Sequence, residues 1–117
     1  MLNATALPVR QVAEDVFVAP QLAPHDMAAA VAAGFRSVVN NRPDFEESAA
    51  QPTSAAIEAA AEAAGLAYRF LPVSPSQQTP QDAAAMARLL QELPRPLLIF
   101  CRSGARSTRL YRLATQA

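Results

Sequence analysis

The sequence predicts one α/β domain over residues 1–117, with a mainly parallel sheet of four to five strands flanked by helices. Two observations carry this. Short β-branched or apolar runs alternate four times with alanine-rich helical stretches. The last run, "PRPLLIF", is continuously apolar, as expected of a strand buried on both faces of a parallel sheet.

The elements follow in order. "EDVFVAPQL" contains Val16-Phe17-Val18, a first short strand. "HDMAAAVAAGF" reads as a short helix, with Asp26 near its start and Gly34 where a C-terminal cap belongs. "RSVVNN" is a β-branched strand, and "RPDFEESAAQP" is a polar loop with two prolines. "TSAAIEAAAEAAG" is a helix capped by Thr53 or Ser54 and ended by Gly65. "LAYRFLPV" is a strand and "SPSQQ" a loop. "TPQDAAAMARLLQEL" is a helix with Thr79 at the cap, Pro80 at the first position and Asp82 in the first turn. "PRPLLIF" and "ARSTRLYRLATQ" supply the last strand and helix. In such sheets ligands bind beyond the C-terminal strand ends. The loops "NNRPDFEE", "SPSQQ" and "CRSGAR" therefore share one rim.

Composition narrows the function. Hydrophobic residues make up 51% and charged residues 17%, which fits a globular domain. A net charge of +0 argues against a dedicated nucleic-acid binder. No stretch approaches a membrane span, and the N-terminal residues lack the pattern of a secretory leader. One cysteine cannot form an internal disulfide, so a cytoplasmic, reducing location is expected. The balance of charge hides an asymmetry. Arg95, Arg102, Arg106, Arg109 and Arg112 lie in a tail that contains no acid, and the cysteine sits among them. An anionic substrate is the expectation.

"LLIFCRSGARSTRLY" places Cys101 at the end of a buried strand and Arg106 at the start of a helix. A tight strand-to-helix loop turns backbone N–H groups inward and forms an anion nest, to which the helix N-terminus adds donors. Gly104 permits a positive φ or a close approach to a ligand. A cysteine facing such a nest has a lowered pKa. Cys101, Arg106 and Ser107 are thus the expected catalytic residues, as nucleophile, oxyanion clamp and hydroxyl donor. Arg102, Ser103, Gly104 and Ala105 are the expected substrate-binding loop.

The run C-x-x-G-x-R-S resembles the rhodanese loop, with four residues between cysteine and arginine, where tyrosine and dual-specificity phosphatases have five. Over residues 8–115 the chain resembles a bacterial family, the phosphatase-like domain of beta-lactamase hydrolase-like proteins. The segments "NNRPD.EE", "QPTS..IEAAA...GL.Y" and "CRSG.RS" carry that likeness. The resemblance implies a phosphatase-like fold. It also implies association with persulfide- or sulfide-oxidising enzymes, since members occur fused to metallo-β-lactamase-type domains and are often called sulfurtransferases.

Two readable features favour sulfur transfer. The shorter loop has one donor fewer for a tetrahedral phosphoryl group. The loop after the preceding strand, "VSPSQQ", has no acid to protonate a leaving alkoxide, a role worth about 10²–10⁴-fold. Sulfur transfer from thiosulfate expels sulfite and needs no such proton. The expectation is a sulfurtransferase working through a Cys101 persulfide on a small anion such as thiosulfate or a persulfide. The alternatives are a phosphatase acting on a phosphoester through a Cys101 phosphocysteine, and a non-catalytic anion-binding module.

Other candidates weigh less. Arg42 lies just past a strand end, where it holds a second anionic group or pairs with Glu46 or Glu47. Asp44, Glu46 and Glu47 are candidates to supply the missing acid from another direction; Asp44 is also a substrate-binding candidate, and after Pro43 it suits a turn better than catalysis. Asp82 reads as a first-turn helix acid. Asn40 and Asn41 bond loop backbone or line the pocket. His25 is the lone histidine, near a helix start, and no metal-ligand cluster or cofactor is expected.

Overall fold

The computed structural model describes residues 7–116. Five strands, β1 (Arg10–Ala13), β2 (Val16–Ala19), β3 (Ser37–Asn40), β4 (Ala67–Phe70) and β5 (Leu97–Phe100), form one sheet in the order β1-β2-β5-β3-β4. β1 pairs antiparallel with β2 and every other pairing is parallel. The helices are α1 (Asp26–Ala32), α2 (Ser54–Ala64), α3 (Pro80–Glu92) and α4 (Ala105–Thr115). This is the α/β sandwich that the sequence predicts. The addition is β1, whose partly exposed residues "RQVA" show no apolar alternation; its place is set by pairing with β2. No helix among the described residues is long and apolar enough to cross a membrane. The two ends of the predicted 1–117 domain lie outside the described residues.

β5 is the centre of the sheet, in register between β2 and β3. All four of its residues are buried. Their alternation divides the core into two layers. Leu98 and Phe100 pack with Met27, Ala30, Ile57 and Ala61 of α1 and α2. Leu97 and Ile99 pack with Met86, Leu90 and Leu110 of α3 and α4. A fully buried side chain of this size contributes about 1.5–3 kcal/mol, so the strand that ends at Cys101 is among the most firmly held parts of the chain.

The helix termini follow the local sequence. The Thr79 hydroxyl accepts from the Asp82 N–H at 3.0 Å while the Asp82 carboxylate accepts from the Thr79 N–H at 2.9 Å, a reciprocal cap. Thr53 caps α2, and Gly65, at φ +85°, lets the chain turn back into β4. Together these elements bring the three predicted rim loops to the C-terminal ends of β3, β4 and β5.

Candidate active site

Cys101 directly follows β5 and is 1% exposed. Its N–H donates to the Ala19 carbonyl at 3.4 Å, which ties the loop to the neighbouring strand. Gly104, at φ +95°, folds the loop so that its own N–H donates to Cys101 Sγ at 3.0 Å. A Cβ at that position would stand 3.6 Å from the Ala19 carbonyl, so the requirement for glycine is the backbone angle and not space. Burial pushes the Cys101 thiol up. The N–H and hydroxyl of Ser107 and the N–H groups of Gly104 and Ser103 outweigh burial, and the thiol lies below its ordinary value. The nest predicted from the sequence is thus built from Ser103, Gly104 and the first turn of α4.

Cys101, Arg102, Ser103, Ala105 and Arg106 line a cavity of about 430 Å³ with Pro75 and Arg109 at its edge. Arg106 is 5% exposed. Its two terminal nitrogens donate to the two oxygens of Glu46, both at 3.0 Å, and one also donates to the Val73 carbonyl at 3.2 Å. Its Nε is buried with no partner. That N–H is an unsatisfied buried donor on a residue that also lines the cysteine cavity.

The loop between β3 and α2 supplies the opposite rim. Arg42 donates to Glu46, Glu47 and Gln21, each at 3.0 Å. All three of its guanidinium nitrogens are engaged, so of the two expected roles the structure gives it the ion pair. Burial raises the Glu46 carboxyl, but hydrogen bonds and charge from Arg106 and Arg42 win and hold it below the usual glutamate range. Glu47 also meets Arg102 at 3.2 Å. A second cavity of about 230 Å³ lies among Arg42, Glu46, Glu47, Arg102 and Arg106, sharing Pro75 with the first. Asp44 lines neither cavity: its carboxylate accepts from the Ser54 N–H at 2.7 Å, at the start of α2. Phe45 stands between Asp44 and Glu46 at φ +57° and is 63% exposed.

Ser107 is fully buried, and its hydroxyl donates to Asn41 Oδ1 at 2.9 Å. Asn40 donates to the Tyr68 hydroxyl at 3.0 Å and is structural. His25 is exposed beside Asp26. Three features escaped the sequence reading. Glu46 is the partner of Arg106 as well as of Arg42, Arg109 reaches the cysteine cavity, and Asn41 engages Ser107. Only Arg109 left a signal, its spacing of three residues from Arg106 along one helix face. A larger cavity, about 590 Å³, runs along Arg10, Thr108 and Arg112 and does not include Cys101.

Residues 8–117 match the family described as beta-lactamase hydrolase-like protein, phosphatase-like domain. A beta-lactamase hydrolase-like protein of Xylella fastidiosa is 43% identical over 81 residues, covering 69% of this chain and 19% of the relative. The chain therefore spans about a fifth of the length of the curated relatives it matches. Among solved structures, a phosphatase candidate from Neisseria meningitidis superposes with a TM-score of 0.79 at 29% identity, covering 86% of this chain and 71% of that one. TpbA of P. aeruginosa, solved in complex with phosphotyrosine, superposes with a TM-score of 0.65 at 15% identity, covering 97% and 66%. At that identity the likeness is one of fold.

Proposed function

Because the chain belongs to the phosphatase-like domain family of beta-lactamase hydrolase-like proteins, we propose that it is a cysteine-dependent group-transfer enzyme whose nucleophile is Cys101. Within that class we read it as a sulfurtransferase. One observation carries the choice: each acid near the rim is already engaged. Glu46 is ionised between Arg106 and Arg42, Glu47 bridges Arg42 and Arg102, Asp44 caps α2 and Asp82 caps α3. None is left unengaged to protonate a leaving alkoxide, a role worth about 10²–10⁴-fold in phosphomonoester cleavage.

In the proposed reaction the Cys101 thiolate attacks the outer sulfur of thiosulfate. A new S–S bond forms, the old one breaks, and sulfite leaves with the bonding pair. An acceptor thiolate or cyanide then attacks the outer sulfur of the persulfide and Cys101 leaves as thiolate. No external proton or oxidant is needed. The Ser103, Gly104 and Ser107 N–H groups hold the negative sulfur, and the Arg106 guanidinium at the cavity supplies positive charge for the sulfite-like oxygens. A persulfide serves in place of thiosulfate, and a persulfide- or sulfide-oxidising enzyme in a reducing, cytoplasmic compartment is the expected partner.

The second reading is a phosphatase that forms a Cys101 phosphocysteine. The Neisseria and TpbA neighbours favour it by description and by fold. The third, a non-catalytic anion-binding module, suits the near-complete burial of Cys101 but not its lowered thiol pKa. Steady-state assays separate them. Thiocyanate formation from thiosulfate and cyanide, lost in Cys101→Ser, supports sulfur transfer. Cys101-dependent release of phosphate from an aryl phosphate, without thiocyanate formation, supports the phosphatase. Silence in both assays favours the binding module.

A further inference from the structure

Ser107 has one hydroxyl proton and two acceptors within reach, Asn41 Oδ1 and the Cys101 sulfur. The proton sits on the Asn41 side, in a 2.9 Å hydrogen bond. The orientation of the Asn41 amide is fixed. Its Nδ2 donates to the Leu71 carbonyl at 2.9 Å, and a carbonyl only accepts, so the amide oxygen must face Ser107. The Asn41 backbone is equally fixed, donating to Phe100 O at 2.9 Å and accepting from Val73 N–H at 3.0 Å. Asn41 and Ser107 are both 0% exposed, so water does not offer the hydroxyl a third partner.

We infer that Asn41 is a positioning residue for the reacting thiol: it holds the Ser107 proton while Cys101 is a thiol and yields it to the sulfur when the thiolate forms. While the proton points to Asn41, the Ser107 oxygen turns a lone pair to the sulfur and can accept the S–H. On ionisation the hydroxyl rotates, the bond to Asn41 is given up and a charge-assisted bond to sulfur replaces it. Asn41 thereby moderates thiolate formation and keeps the sulfur more basic, hence more nucleophilic, than the nest alone would leave it. The inference rests on Cys101 being the reacting thiol and holds for either chemistry.

The test is a thiol titration, not a turnover assay, so it stands apart from the choice of substrate. The midpoint is read from pH-dependent alkylation by iodoacetamide. Arg102, Arg106 and Arg109, with Glu46 behind Arg106, are the charged groups around Cys101, and all are retained in every variant. Asn41→Ala and the near-isosteric Asn41→Leu are expected to lower the midpoint by about 0.5 in pH, because Ser107 then serves the thiolate without competition. In a Ser107→Ala background the same substitutions are expected to move it by less than about 0.2. An equal displacement in both backgrounds, or none in a folded Asn41 variant, overturns the inference. The unaltered protein gives a second readout that no folding defect can obscure. The Asn41 side-chain amide resonances are expected to shift at the thiol midpoint. If they stay fixed through it, the proton does not move and the inference fails.

Discussion

Arg106 and Glu46 meet through two hydrogen bonds of 3.0 Å each, across 60 positions of sequence, and Glu46 also holds Arg42. Arg106 is thus held by a carboxylate from the opposite rim, and its Nε is buried without a partner. Glu46→Ala leaves the nearly buried Arg106 guanidinium without a carboxylate and Arg42 with Glu47 alone. It is expected to cost about 2 kcal/mol in denaturant unfolding, below the roughly 3–5 kcal/mol of a fully buried pair because Glu46 keeps some contact with solvent. A loss below about 0.5 kcal/mol would show that the network is idle.

The same pair fixes a pH dependence. Glu46 ionises below the ordinary glutamate range in the fold. Its contribution is therefore fully present above the pH at which an unfolded glutamate ionises, and is lost as pH falls through the lowered native value. Glu46→Gln is expected to be less stable at neutral pH and to lose less on acidification than the unaltered protein. Unfolding curves at a series of pH values from neutral to about pH 3 measure both slopes.

Gly104 holds the loop in a backbone conformation that L side chains rarely adopt. Gly104→Ala meets no clash closer than 3.6 Å, so its expected cost is the backbone term, about 1 kcal/mol or somewhat more. If the loop relaxes, the Gly104 N–H leaves the sulfur, and the alkylation midpoint of Cys101 is expected to rise. An unchanged midpoint would remove Gly104 from the list of thiolate donors.

Phe45 carries the reverse signature, a bulky exposed side chain at φ +57°. The strain lets Asp44 and Glu46, on either side of Phe45, reach different partners. Phe45→Gly is expected to stabilise or leave unchanged the thermal unfolding, because relief of about 1 kcal/mol of strain offsets the added freedom of the unfolded chain. A clear loss of stability would mean that the ring packs where the structure leaves it exposed.

Arg106→Lys replaces a planar fork by a point charge. A single ammonium nitrogen cannot reproduce the two-nitrogen fork that meets both Glu46 oxygens. A drop of about 10–100-fold in kcat/KM for an anionic donor is expected, with Cys101 alkylation little affected.

Most of the fold was legible because local signals agreed. "TPQD" specified a cap, Gly65 a helix end, and "PRPLLIF" a doubly buried strand. β1 was not, because its pairing partner and not its own pattern defines it. At the site, the cysteine loop was readable from spacing alone. The roles of Glu46 and Asn41 were not, since each depends on a residue about 60 positions away brought near by the parallel crossover. Asp44, expected at the substrate, is at the start of α2, where short acids are at home.

The most direct test of the central claim is the intact mass of the protein after incubation with thiosulfate, beside a Cys101→Ser control. The account predicts a gain of one sulfur that requires Cys101 and is discharged by cyanide. Cys101-dependent turnover of an aryl phosphate with no such adduct would contradict it, and would assign the loop to phosphoryl transfer.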